Sequence, residues 1–303
     1  MTRRTFLRAS LAAPAGGLAQ SAGRRVIVAG AGLAGLSAAW ELDHAGYDVR
    51  ILEARTRPGG RVFTLRAPFS DGLHAEVGAS RIQDSHRFTL KYARQFNLSL
   101  DPFWPTDGAS ITRVGGKRFV LPAGKTLDLN ETTLPFSDQE RKLGLRGSQA
   151  KYLFSRLGEL GDSTLPDWPG PGLSRFEVPI REYLLAEGAS EGIIRMVALG
   201  HDLAGMSALQ FLRDAANGAS TKIWFKIRGG NDQLPKAFAA GLASRIFYGA
   251  EIIRLEQDEH SVRAVYLQAG KPSVLTGDYL ICALPLPVMR RVEVSPALTP
   301  EKR

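Results

Sequence analysis

The chain has 303 residues, 44% of them hydrophobic and 23% charged, which suits one large globular domain or two interleaved ones and excludes a disordered tail, a collagen-like fibre or a disulfide-stapled miniprotein. Of the net charge of +9, five units are arginines within residues 1–25, where there is no acid, and the rest is dispersed, so no nucleic-acid-binding patch is expected. The single cysteine, Cys282, rules out an intrachain disulfide and a cysteine-built zinc site, and the longest strongly apolar stretch, Val26 to Trp40, is shorter than the roughly 20 residues of a membrane-spanning helix.

The chain opens with Thr2-Arg3-Arg4-Thr5-Phe6-Leu7-Arg8, followed by a mildly apolar run from Ala9 to Ala19. Paired arginines ahead of a weakly hydrophobic segment resemble the bacterial twin-arginine export signal, with small-residue cleavage sites at Ala13-Pro14-Ala15 or between Ala19 and Ala22. Residues 1–22 are therefore set apart as a signal peptide. The resemblance implies passage through the twin-arginine translocon and a periplasmic or secreted destination.

Arg25-Val26-Ile27-Val28-Ala29 is a short β-branched run of the kind that forms a buried parallel strand. Gly30-Ala31-Gly32-Leu33-Ala34-Gly35 follows directly, then an amphipathic helix to about Ala45, a stop at Gly46, and a second strand from Asp48 to Glu53. Strand, glycine loop, helix, strand and terminal acid together form the dinucleotide-binding βαβ unit. Gly30 permits the tight turn, Gly32 lets backbone amides approach a pyrophosphate, and Gly35 lets the helix sit close to the strand. The helix N-terminus stabilises phosphate charge, and Glu53 is placed to accept from a ribose diol. An acid at that position disfavours a 2′-phosphate, leaving FAD or NAD.

The next block is Glu53-Ala54-Arg55-Thr56-Arg57-Pro58-Gly59-Gly60-Arg61. Here the sequence resembles the flavin-containing amine oxidase family, which includes monoamine, polyamine and L-amino-acid oxidases and carries E-A-x-x-R-x-G-G-R after its second strand. The resemblance implies FAD and a glutathione-reductase-type, Rossmann-like α/β domain with an inserted, largely helical α+β substrate domain. Arg61 is then expected at the pyrophosphate or the flavin carbonyls, with strand capping or an ion pair as its plain structural alternative.

His74-Ala75-Glu76-Val77-Gly78-Ala79-Ser80-Arg81 resembles the family's flavin-contacting turn, with a helix containing Ser85, His86 and Arg87 after it. Arg81 fits the slot that holds a substrate carboxylate in the L-amino-acid oxidase branch; otherwise it is a solvated arginine at a helix start.

From Asp84 to about Asn217 helical patterning dominates. Phe88, Tyr92 and Phe96 predict one buried face, Ile111 to Leu121 a hairpin around Gly115-Gly116, Ser137 to Glu140 a capping box, and Val178 to Glu187 a helix stopped by Gly188. His201 and Asp202 have no partner nucleophile at a recognisable spacing and are read as structural or exposed.

Resemblance returns at Lys222 to Pro235, the family's re-entry into the FAD domain, where Trp224 and Phe225 are read as core or domain-interface residues. The strand from Gly249 to Gln257 is similar to the one whose backbone contacts adenine, which points to Ile252. Cys282, in the apolar strand from Asp278 to Pro285, is expected to be a small core hydrophobe. The expected division is signal 1–22, FAD domain 23–83 and 221–303, and substrate domain 84–220. Family members continue well past the motif resembling Val294 to Leu298, so the chain is expected to be truncated. It would then lack a lysine near the flavin, the final FAD segment and the aromatics flanking the ring, and its cleft beside Gly30–Gly35 and Gly78–Arg81 would stand open.

The reaction implied is oxidation of a primary amine, foremost an L-amino acid, with dioxygen reduced to hydrogen peroxide, no metal, and no catalytic residue assigned. A homodimer is compatible with it. A polyamine oxidase or flavin desaturase on the same scaffold is the alternative, and a non-catalytic flavin-binding remnant is the rival from another class.

Overall fold

The computed structural model describes residues 23–104, 108–163, 165, 168–199, 205–219 and 223–299. The arginine pair and apolar run within residues 1–22, and His201 and Asp202, lie outside the described residues. The chain divides into two compact units, one of residues 1–82, 87–101 and 226–303, the other of residues 83–86 and 102–225.

The first unit is built around β1 (Arg25–Ala29), α1 (Leu33–His44) and β2 (Asp48–Glu53), followed by β3 (Thr64–Leu65), β4 (Ala75–Glu76) and α2 (Arg87–Gln95). On re-entry come α3 (Gln233–Gly241), β5 (Ile246–Tyr248), β6 (Ala250–Gln257), β7 (Val262–Gln268), β8 (Lys271–Gly277), β9 (Tyr279–Cys282) and β10 (Glu293–Ser295). A parallel sheet has the order β5-β2-β1-β9, with β1 at its centre: Val28 pairs with Ile51 on one side and Ile281 on the other. Val26 to Ala29 are at most 1% exposed because both faces of β1 are covered, which is why the strand is a continuous apolar run rather than an alternating one. Burial on that scale contributes about 1.5–3 kcal/mol for each large aliphatic side chain.

A second sheet, β8-β7-β6-β10, is an antiparallel meander closed by one parallel strand. Its Ile252, Leu255, Ala264 and Tyr266 pack with Ile27, Ala29 and Leu52 of the parallel sheet in one core cluster. The helices form their own contacts: Trp40 of α1 meets Phe96 and Phe238 edge-on at 5.0 and 5.7 Å, and Tyr92 meets Phe238 at 4.8 Å.

Three expectations change here. The helix after Arg81 begins at Arg87, with Ser85 and His86 in the preceding turn. This helix belongs to the first unit, not to the inserted segment. Its aromatic face is made by Tyr92 and Phe96, whereas Phe88 is 61% exposed and lies under the Arg87 guanidinium. Strand β5 was hidden because three residues, Ile246-Phe247-Tyr248, run into a turn at Gly249 and merge with the next apolar run in the sequence pattern.

The second unit holds the hairpin Ala109–Val114 and Lys117–Pro122 and helices Asp138–Tyr152, Ile180–Ala186, Glu191–Ala198 and Ala208–Ala219. Ser137 and Glu140 form the anticipated capping box. The Glu140 carboxylate is fully buried and also accepts from Ser190 N and the Tyr152 hydroxyl, so one cap residue ties two helices together. Two clefts on this unit, of about 340 and 540 Å³, are lined by residues such as Glu159, Trp168, Tyr183 and Glu187. None of the residues lining them is one the sequence marked for cofactor or substrate.

Candidate functional site

The C-terminal ends of β1, β2 and β9 converge on the glycine loop, the place where open parallel sheets bind ligands. Each glycine has its own physical reason. Gly30 has φ +101°, in the left-handed region, and turns the chain out of β1. A Cβ on Gly35 would lie 2.0 Å from the Gly30 carbonyl oxygen, so helix and strand could not approach as they do. Gly32 differs: a Cβ there would meet no protein atom within 4 Å. Among the described residues nothing blocks a side chain at the second glycine, and the space beside it is open. Gly32 also caps α1 without a side-chain hydrogen bond, and there is no acid in the first turn, so the helix contributes no carboxylate of its own to its positive end.

Glu53 is 7% exposed at the end of β2 and accepts from Ala31 N at 2.8 Å and from Arg55 N at 2.9 Å. The carboxylate thus shapes the glycine loop as well as facing the ligand end of the sheet, a role the sequence did not show. Its two oxygens have further lone pairs for a ribose diol. Ala31 is fully buried, Leu33 is partly exposed and Ala34 exposed at the start of the helix.

The block after β2 folds back on the loop. Gly59 N donates to Ala31 O at 2.8 Å, and a Cβ on Gly60 would sit 3.4 Å from Gly32 Cα. Arg55 and Arg57 both donate to the Gly60 carbonyl, and Arg57 lies over the Phe63 ring at 4.1 Å. The Arg55 side chain therefore clamps this turn, while Ala54 and Arg61 are exposed. The Arg61 carbonyl then accepts from Ala79 N at 3.1 Å, and a Cβ on Gly78 would lie 1.9 Å from that same oxygen. Glu53, the Ala31–Gly32 turn, Gly60–Arg61 and Gly78–Ala79 accordingly follow one another in a chain of contacts. Ser80 is half-buried and Arg81 exposed.

Ile252 is 8% exposed and packs in the core beside Leu52. Its strand is brought to the end of β2 by a bond from Gly249 N to Arg55 O at 3.2 Å. The residues expected at the adenosine end, Glu53 and Ile252, are thus neighbours in the fold.

Cys282 is not a core residue. It is exposed at the last position of β9, opposite Ala29, with its thiol 3.2 Å from the Met289 sulfur. The apolar pattern of β9 carries no mark of where the sheet ends, and Cys282 lies on its rim.

A polar cluster escaped sequence reading. The Thr64 hydroxyl donates to the Glu76 carboxylate at 2.9 Å and accepts from Asp232 N at 3.1 Å. Asn231 N donates to Glu76 at 2.7 Å, and Asn231 Nδ2 to the Ala79 carbonyl at 3.0 Å. Asp232, 6% exposed, is opposed by its burial, but Arg66 and Lys236 outweigh that and hold its carboxyl down at about 2. A Cβ on Gly230, whose φ is +121°, would lie 2.6 Å from the Thr64 methyl.

Comparison with known proteins agrees with this geometry. The model of the family described as flavin containing amine oxidoreductase matches residues 33–303. The L-amino-acid oxidase of Pseudechis australis is 30% identical over 287 residues, 92% of this chain and 54% of its own. YobN of Bacillus subtilis (strain 168), provisionally named an L-amino-acid oxidase, is 30% identical over 285 residues, 90% of this chain and 58% of its own. The chain therefore spans a little over half the length of the curated relatives it matches. Among solved structures, putrescine oxidase bound to putrescine superposes with a TM-score of 0.71 at 22% identity, over 92% of this chain and 62% of that one. Cyclohexylamine oxidase from Brevibacterium oxydans IH-35A gives a TM-score of 0.72 at 21% identity, over 91% and 61%.

Proposed function

The chain belongs to the flavin containing amine oxidoreductase family, and from that premise we propose that its first unit binds FAD and serves the oxidation of a primary amine, foremost an L-amino acid, with dioxygen as the electron acceptor. The observation that carries this reading is the empty space at Gly32, set between an uncapped helix end and the buried Glu53. The glycine loop and first-turn amides would hold the pyrophosphate, Glu53 the ribose, and the strand at Ile252 the adenine. Bound FAD supplies a hydride acceptor for the α-carbon of the neutral amine and passes the electrons on to dioxygen. The chain's own contribution is to orient that cofactor, through Gly60–Arg61 and the Gly78–Arg81 turn.

The amino-acid substrate rests on the names of the relatives and on Arg81, whose guanidinium suits a carboxylate bidentately. The structural neighbours are named for putrescine and cyclohexylamine, which supports a second reading in which the substrate is a simple amine. Arg81→Met separates the two. Loss of a charge-assisted pair costs about 1.5–3 kcal/mol, or roughly 10–100-fold. That loss is expected in kcat/KM for amino acids and not for the matching amines, and equally in the amino-acid concentration needed to perturb the bound-flavin spectrum. Equal loss on both substrate classes would refute a carboxylate role.

We also propose that residues 1–22 direct export through the twin-arginine translocon, a route that carries folded proteins and so suits a cofactor acquired beforehand.

A further inference from the structure

Two neighbouring blocks, residues 61–66 and 74–81, meet the distant block 227–236 beyond the glycine loop. Their junction is polar, with a buried centre and a more open edge at Glu76 and Ala79. Thr64 is 3% exposed and Asn231 5%. Asn231 bonds through three polar groups here: its N–H on Glu76, its amide donor on the Ala79 carbonyl, and its amide oxygen as acceptor for Ile227 N at 2.8 Å. Glu76 receives both Asn231 N and the Thr64 hydroxyl. None of these groups faces the glycine loop or Glu53, which are held by their own bonds through Ala31. What the junction fixes is the carbonyl of Ala79, the residue whose N–H is already tied to Arg61.

We infer that Asn231 and Glu76 are positioning residues for the part of the dinucleotide lying past the pyrophosphate. They clamp the Gly78–Arg81 turn from behind through the Ala79 carbonyl and leave the adenosine end untouched. The inference rests on the flavin reading of the same site, and it separates two functions that a general stabilising role would move together. Buried polar groups left half-satisfied are costly, so the clamp holds one geometry or fails outright.

The test is calorimetric titration of the full chain with ADP and with FAD, repeated for Asn231→Asp, Glu76→Ala and Glu76→Gln. Asn231→Asp keeps the size and the acceptor for Ile227 N but replaces the donor that reaches Ala79. The parent is expected to bind FAD more tightly than ADP. Asn231→Asp and Glu76→Ala should lower the FAD-to-ADP affinity ratio about tenfold, the net worth of one hydrogen bond, while ADP affinity is unchanged. Glu76→Gln retains an acceptor for Asn231 N and should restore the parent ratio. Fluorescence of bound FAD should rise in the first two variants as the ring loosens. Parallel loss of ADP and FAD binding, through misfolding or otherwise, or an unchanged ratio, overturns the inference alone. A parent that binds neither ligand overturns the flavin reading and this inference with it.

Discussion

Gly32 and Gly35 are three residues apart in one motif, yet the structure gives them opposite consequences. A side chain at 32 enters open space, so Gly32→Val should leave the thermal midpoint near that of the parent and abolish FAD retention. A side chain at 35 strikes the Gly30 carbonyl at 2.0 Å. Gly35→Ala should therefore destabilise the fold by about 1–3 kcal/mol, the usual cost of overpacking, with any loss of flavin following from that. Thermal melts and flavin titration on the two variants together check the assignment, and an unstable Gly32→Val would argue that the space is not a ligand cradle. Both glycines were legible in the sequence because their constraints are local, within one strand–turn–helix. The second duty of Glu53 was not legible. That its carboxylate receives Ala31 N depends on how β2 ends beside β1, which spacing alone does not state.

Among the elements, α3 enters the site with Asp232 at its start, paired to Arg66 and Lys236. The carboxyl titrates at about 2 when folded, below its ordinary 3.8. A lowered folded value means that the ionised form contributes stability at neutral pH and that this contribution is lost as pH falls from about 4 toward 2. Both partners are about half exposed, so the contribution is discounted to about 1–2 kcal/mol. Asp232→Asn should be less stable than the parent by that amount at pH 7, and the gap should shrink as pH falls from about 4 through 2 in denaturant titrations; a gap independent of pH would mean the ion pairs contribute nothing. This cluster was invisible to sequence reading because its members are ordinary polar residues separated by 155 and 168 positions. Cys282 was misread for a related reason: an apolar strand reads the same at its buried centre and at its exposed rim.

At the scale of the whole molecule, the two-unit arrangement follows from a dinucleotide fold interrupted by an insertion, and the blocks at either side of the insertion announced it. The chain positions at which the units exchange, 82/83, 86/87, 101/102 and 225/226, were less apparent, since α2 has the same helical pattern as the segment that follows it. Export through the twin-arginine translocon is a property of the whole chain as well. A tagged chain with Arg3→Lys and Arg4→Lys should stay in the cytoplasm of a bacterial host while the parent reaches the periplasm, and equal delivery of both would refute it. A last consequence concerns the order of assembly. The central strand β1 takes one of its two partners from β9, so Val26 waits for Tyr279. At about 5–20 residues per second, a ribosome would present the glycine loop for tens of seconds before the sheet could close, whereas residues 102–225 find their partners among themselves. Nascent chains stalled far enough past residue 225 for the second unit to have left the ribosome, but before β9 is made, should resist protease across that unit and be cut within β1. The cofactor would then be captured only after β9 has been made, as a closing act for this sheet rather than a template for its folding.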